Sequence, residues 1–259
     1  MVAHARSLAT QVRLLEPSIP YLVPDPPPVE SAFDRVRESL DPALSRQITS
    51  GTELLRSLNR QRREGVLPTA IASVDALLDG GIARGKMVEI AGRGGRFSVV
   101  VATLAAATSI GEAAALIDLG GAFDPQIGEA AGIDLRRLLW IRPKTLKQAV
   151  AAAEMITATG FQLVILDAGL PRLRGRVPDA AWVRLARSAE AHGTALVISS
   201  PYPLTGTTSE AMLRADRPRG QWRNGLFTGV QPTMLLEKHR RKRPGESAKL
   251  TFRAPEAIV

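Results

Sequence analysis

The sequence predicts a doubly wound α/β fold: a mostly parallel sheet with helices on both faces and an antiparallel extension at the C-terminal end. Three observations carry that expectation. Short apolar runs recur along the chain, Ala-rich stretches of helical length separate them, and a Gly-rich turn follows the first run. A chain of 259 residues with 45% hydrophobic content can bury one full core and still leave arms outside it.

Taken in order, the first segment spans residues 1–64. Pro20, Pro24 and Pro26-Pro27-Pro28 cannot lie inside a helix or a central strand, so they predict an extended linker. Phe33, Val36, Leu40, Leu44, Leu54, Leu55 and Leu58 recur at helical spacing and predict two amphipathic helices broken near Ser50-Gly51. Residues 65–205 hold the predicted core, with strands at Met87–Ala91, Ala114–Asp118, Leu138–Ile141, Leu163–Asp167 and Ala195–Ser199. Helices are expected over Ser98–Ile110, Leu146–Thr159 and Ala180–Ala191. Residues 206–259 change character. An Arg- and Gly-rich loop is expected to about Gly229, followed by Thr233–Glu237 and Lys249–Arg253 as a closing antiparallel pair at one sheet edge.

Composition removes several function classes. There is no cysteine, which excludes disulfides, thiol nucleophiles and cysteine-ligated metals. His4, His192 and His239 are too scattered to form a zinc centre, so no metal or cofactor is expected. No run reaches the about 18 to 20 apolar residues of a membrane span, and the N-terminus lacks the order of a secretory signal; a cytoplasmic protein is expected. The net charge of +9 and pI near 10.7 favour an acidic partner, nucleic acid among them. With 4% aromatic residues, base-stacking platforms are not expected.

The turn after the first strand, Gly92-Arg93-Gly94-Gly95-Arg96-Phe97-Ser98, has the place of a phosphate cradle but not its chemistry. A working loop runs Gly, four residues, Gly-Lys-Ser/Thr: backbone N–H groups wrap the phosphates, the lysine reaches the terminal ones, and the hydroxyl holds magnesium. Here two residues separate Gly92 from Gly95, Arg96 stands in the lysine's place, and Phe97 replaces the hydroxyl. Arginine's larger planar head makes that exchange far from neutral. A purely structural turn and residual nucleotide binding, with Ser98 sliding into register, both stay open.

With these residues in view, the chain resembles the RecA recombinase family over about residues 65–255, and most closely its degenerate ImuA-type branch. The similarity runs through Leu67–Leu78, Gly80–Gly85 and Ile117–Pro125. In the last of these the resemblance implies a catalytic glutamate and an adenine-contacting aspartate; Gly120 takes the first place and Asp124 keeps the second. Leu163–Asp167 resembles the Walker B strand, with Asp167 either a turn cap or a magnesium ligand. Ser200 stands where the family has a phosphate-sensing glutamine. The loop spacing, lysine, hydroxyl, glutamate and glutamine are all lost, and such losses compound, so a pseudo-ATPase is expected rather than an enzyme.

Two basic clusters complete the reading. Arg214, Arg217, Arg219 and Arg223 flank Trp222 where the resemblance implies the second DNA-binding loop, and Arg172, Arg174 and Arg176 fall at the counterpart of the first. Lys238, Arg240, Arg241, Lys242 and Arg243 resemble a segment that reaches a neighbouring subunit. Phosphate binding, docking on an acidic protein and plain solvation stay open for all of them. The resemblance implies an accessory factor of damage-induced translesion synthesis (SOS mutagenesis), with RecA, the ImuB protein, an error-prone replicative-type DNA polymerase and DNA itself as expected partners. The alternatives are a slow or active recombinase-paralogue ATPase and a division inhibitor of the SulA type.

Overall fold

The computed structural model describes residues 65–169 and 177–254. The linker and helical arm expected over 1–64, and the loop arginines Arg172, Arg174 and Arg176, lie outside the described residues.

The chain opens with β1 (Val66–Leu67), α1 (Ala72–Leu77) and β2 (Ile82–Ala83), then enters the sheet at β3 (Met87–Gly92). There follow α2 (Arg96–Ser109), β4 (Ala114–Asp118), α3 (Pro125–Ala130), a 3-10 turn at Leu135–Arg137, and β5 (Leu138–Ile141). Next come α4 (Leu146–Thr157), β6 (Leu163–Asp167), α5 (Asp179–His192) and β7 (Ala195–Ser200). The chain then closes with β8 (Ala211–Arg223), β9 (Leu226–His239), β10 (Ser247–Lys249) and β11 (Phe252–Arg253).

β1 and β2 pair with each other, and the other nine strands make one sheet in the order β10-β9-β8-β3-β7-β6-β4-β5, with β11 also on β9. The stretch from β8 to β5 is parallel throughout, and the β9, β10 and β11 pairings are antiparallel. The alternation of side chains along each strand explains why the core strands read as unbroken apolar runs. Val88, Ile90, Leu116, Leu163, Ile165 and Val197 point to the face covered by α2. Met87, Ala115, Ile117, Val164, Leu166, Leu196 and Ile198 point to the face covered by α4 and α5, where Leu146, Val150, Trp182 and Leu185 meet them.

The segment after β7 departs from expectation. The loop foreseen up to Gly229 is a long hairpin, β8 joined to β9 through Asn224-Gly225. Both turn residues have positive φ, 50° and 79°, the left-handed pair that a two-residue hairpin loop requires. Arg214, Arg217, Arg219, Trp222 and Arg223 therefore lie on a strand, not in a loop. The connection from β7 to β8 is instead residues 201–210, which hold no arginine or lysine. The closing pair is real but split: Ser247–Lys249 faces Thr233–Leu235, and Phe252–Arg253 faces Gly229–Val230.

Candidate functional site

The C-terminal ends of β3, β4, β6 and β7 converge beside the N-terminus of α2, the crevice where open parallel sheets place their chemistry. The Gly-rich turn reaches this point with Gly92 at φ 125° and Gly95 at φ 76° as the residue capping α2. The turn is packed against the hairpin. A Cβ on Gly92 would meet the Ala215 carbonyl, one on Gly94 would meet Pro218, and one on Gly95 would meet Pro232. The chain's own prolines fill the space next to the turn. A cleft of about 400 Å³ opens on its other side, lined by Arg93, Tyr202, Arg214 and Pro218 among others, and its lining includes neither Arg96 nor Asp167.

Arg96, on the first turn of α2, points inward. Its side chain is 7% exposed and its Nη2 lies 3.2 Å from Asp167 Oδ1. The same nitrogen donates to the Gly169 carbonyl at 3.0 Å, while Nε is buried with no partner. Asp167, fully buried at the end of β6, also accepts from the Ser199 hydroxyl at 2.6 Å and the Gly169 N–H at 3.2 Å. Burial pushes the Asp167 carboxyl above its ordinary value, with nearby Asp118 adding to the rise; Arg96, Ser199 and Gly169 pull the other way and do not cancel it. The Arg96 guanidinium is lowered from its usual value, chiefly by burial and against the pull of Asp167. This geometry makes Asp167 half of an internal ion pair as well as a turn cap.

Gly120 touches Gly169 backbone to backbone. A Cβ at 120 would stand 2.4 Å from the Gly169 Cα, so no larger side chain fits there without moving the chain. Phe97 packs on the core cluster, and Ser98 sits half-buried on the first turn of α2. Asp124 caps α3, accepting from the Gln126 and Ile127 amides at 2.8 and 3.3 Å. Ser200 donates to the Tyr202 carbonyl at 2.6 Å, and it is the neighbouring Ser199 that reaches Asp167.

Two buried carboxylates escaped the sequence reading as site residues. Asp118, at the end of β4, accepts from the Ala122 and Phe123 amides and from Trp140 Nε1. Glu89, inside β3, accepts from the Leu204 amide and the Thr205 amide and hydroxyl, and so ties the β7–β8 connection to the central strand. The signal for both was a carboxylate within or closing a strand that should be buried on both faces.

Four of the basic residues on and just after β8 and β9 are ion-paired within the chain. Arg214 pairs with Glu237 at 2.5 Å, Arg240 with Glu210 at 3.6 Å, Arg241 with Asp79 at 3.8 Å and Lys242 with Glu246 at 3.0 Å. Lys238 donates to the Gly206 carbonyl and the Ser209 hydroxyl, and burial, then Arg240, lowers its pKa. Arg219, Arg223 and Arg243 are exposed. At the hairpin tip Trp222 meets Phe227 edge to face at 5.4 Å and lies over Gly220, with 66% of its surface exposed. His192 and His239 bond backbone groups near their own elements. No helix among the described residues is long and apolar enough to cross a membrane.

Comparison with known proteins agrees with this architecture. A family model of the RecA N-terminal domain matches residues 43–177, more than half of the chain. RecA of Clavibacter michiganensis subsp. michiganensis is 33% identical over 144 residues, covering 53% of this chain and 40% of that protein. RecA of Leifsonia xyli subsp. xyli is 30% identical over 167 residues, covering 61% and 46%. The chain thus spans less than half the length of these relatives. A crystal structure of the RadB recombinase superposes with a TM-score of 0.55 over 71% of this chain and 94% of that one; at 21% identity, this likeness is one of fold. The matched domain, the shared sheet and the Gly-rich turn at its crevice together establish that this chain belongs to the RecA family.

Proposed function

We propose that this chain is a RecA-family protein that binds partners in DNA repair without splitting ATP. The observation that carries this reading is the Arg96–Asp167 ion pair. A triphosphate and its magnesium need a loop lysine, a hydroxyl and a free carboxylate at the end of the sheet. Here Arg96, the cation in the lysine's place, is turned inward onto that carboxylate, the hydroxyl's place holds Phe97, and Gly94 and Gly95 lie against Pro218 and Pro232. These residues do not fit the metal–nucleotide group. Such a protein acts through its surfaces. The ImuA-type resemblance supplies the finer reading: an accessory factor for translesion synthesis that engages RecA, ImuB or an error-prone polymerase.

A second reading draws on the relatives. The curated relatives named above are RecA proteins and the solved structure named with them is a recombinase by name, which favours a recombinase-paralogue ATPase acting on DNA over the translesion role in particular. One measurement separates the two: phosphate release from magnesium-ATP, with and without single-stranded DNA, compared with Asp167→Ala. Release indistinguishable from that variant is expected. Release that the variant abolishes would establish the paralogue ATPase and end the first reading.

A further inference from the structure

The tip of the β8–β9 hairpin gathers apolar side chains that neither the core nor the crevice uses. β3 ends with Gly92 opposite Ala215, and β8 runs on to Arg223, about 25 Å further at the usual rise per strand residue. Beyond Gly229, where pairing with β11 stops, β8 and β9 have only each other among the described strands. Trp222 stands opposite Phe227 with the rings edge to face, and Gly220 leaves room for the indole. Successive strand residues point to opposite faces, so the next pair, Arg223 and Leu226, stands on the other side. Leu226 is 71% exposed and Phe227 49%. Apolar side chains therefore lie on both faces of one free end.

Size and shape decide what can cover this end. Three of the ten large hydrophobic side chains exposed among the described residues are here, and the other seven lie on other elements. A stable protein interface takes roughly 20 to 30 residues a side, far more than such a tip offers. A second copy would also bring its own Arg223 against this one, and the chain has no acidic residue between Asp216 and Glu237 to offset the pair. A lipid interface sets no such size requirement, because it closes round a wedge from both sides. An indole ring favours the headgroup level, where its N–H finds oxygen acceptors; the Trp222 Nε1–H has no acceptor among the described residues. The exposed Arg223 has no ion-pair partner among them either, and its long stem can lie along the apolar side chains while its head meets an anionic headgroup.

We propose that the hairpin tip, Trp222, Leu226 and Phe227 with Arg223 beside them, is a wedge that docks the protein reversibly on an anionic lipid surface. The proposal goes beyond the function proposed above and stands whether or not ATP is turned over at Asp167.

The test is co-sedimentation of the full chain with vesicles of phosphatidylglycerol and phosphatidylcholine in equal parts, compared with phosphatidylcholine alone. The mixed vesicles should bind the chain more tightly. Their addition should shift tryptophan emission to the blue as Trp222 leaves water, since Trp182 is buried and Trp140 half-buried already. The triple variant Trp222→Ser/Leu226→Ser/Phe227→Ser, shown by circular dichroism to be folded, should bind at least roughly tenfold more weakly. Arg223→Gln should lose about fivefold on the mixed vesicles, the usual worth of one cation at an anionic surface. Met155→Ser, which removes an exposed apolar side chain from α4, should bind as the native chain does. Undiminished binding by the triple variant would be adhesion of the net charge alone and would overturn the proposal, as would an unmoved emission or no binding to the mixed vesicles. Vesicles ignored while ultracentrifugation shows a dimer that the triple variant loses would assign the tip to a second copy. A RecA complex lost in the same way would assign it to a protein partner, and either result would overturn the lipid reading.

Discussion

Arg96 shows how far one residue's position can alter its meaning. In the sequence it occupies the place of a phosphate-binding lysine; in the fold its head is spent on a carboxylate of the same chain. Removing it would leave Asp167 buried and unpaired, so Arg96→Ala is expected to lose roughly 3–5 kcal/mol of stability, measured by denaturant unfolding. The pH dependence has a definite sign. The Asp167 pKa is raised in the folded state, so its contribution is fully present below the unfolded value and is lost as pH rises through the folded one. Arg96 partly holds that pKa down, so Arg96→Gln should raise it further. The variant's deficit against the native chain should therefore be smaller in acid than at neutral pH; a deficit that grew on acidification would contradict this account. Gly120 gives a second expectation at the same scale. Gly120→Glu should restore no phosphate release and should lower the melting temperature, because its Cβ would be 2.4 Å from the Gly169 Cα.

Among the elements, those that depend on short-range pattern were legible. β4, β5 and β6 span the predicted residues, and α2, α4 and α5 differ from expectation by a few residues at their ends. The hairpin was not. Pro218, Gly220 and the arginines of β8 read as loop, although Asn224-Gly225 between Trp222-Arg223 and Leu226-Phe227 is a strong hairpin signal. Long-range pairing overrides local composition here: β8 runs parallel to β3 and antiparallel to β9, with its register broken at the segment that carries Pro218. The low aromatic content also hid the exposed Trp222–Phe227 pair, which two residues suffice to make. The packing of turn on hairpin is testable. Gly95→Ala combines a φ of 76° with a Cβ 2.4 Å from Pro232, so a loss of about 1–3 kcal/mol is expected in thermal or denaturant unfolding.

For the molecule as a whole, a net charge of +9 favours anionic partners, yet Arg214, Arg240, Arg241 and Lys242 already sit in internal ion pairs. Binding to any polyanion should weaken steeply with salt, since each neutralised phosphate releases a counterion. The slope of log K against log salt should still report fewer contacts than the two basic clusters contain, and a slope equal to their full count would show that the ion pairs open on binding. By itself the sequence determined the layered α/β architecture, the strands of the parallel sheet and the loss of loop spacing, lysine and hydroxyl, because apolar periodicity and residue identity are local properties of a chain. Tertiary structure alone decided that Arg96 closes on Asp167 and that Gly120 has no room to be anything else. Each of these depends on which strands lie side by side, and register between distant segments is set by the packing of the whole sheet.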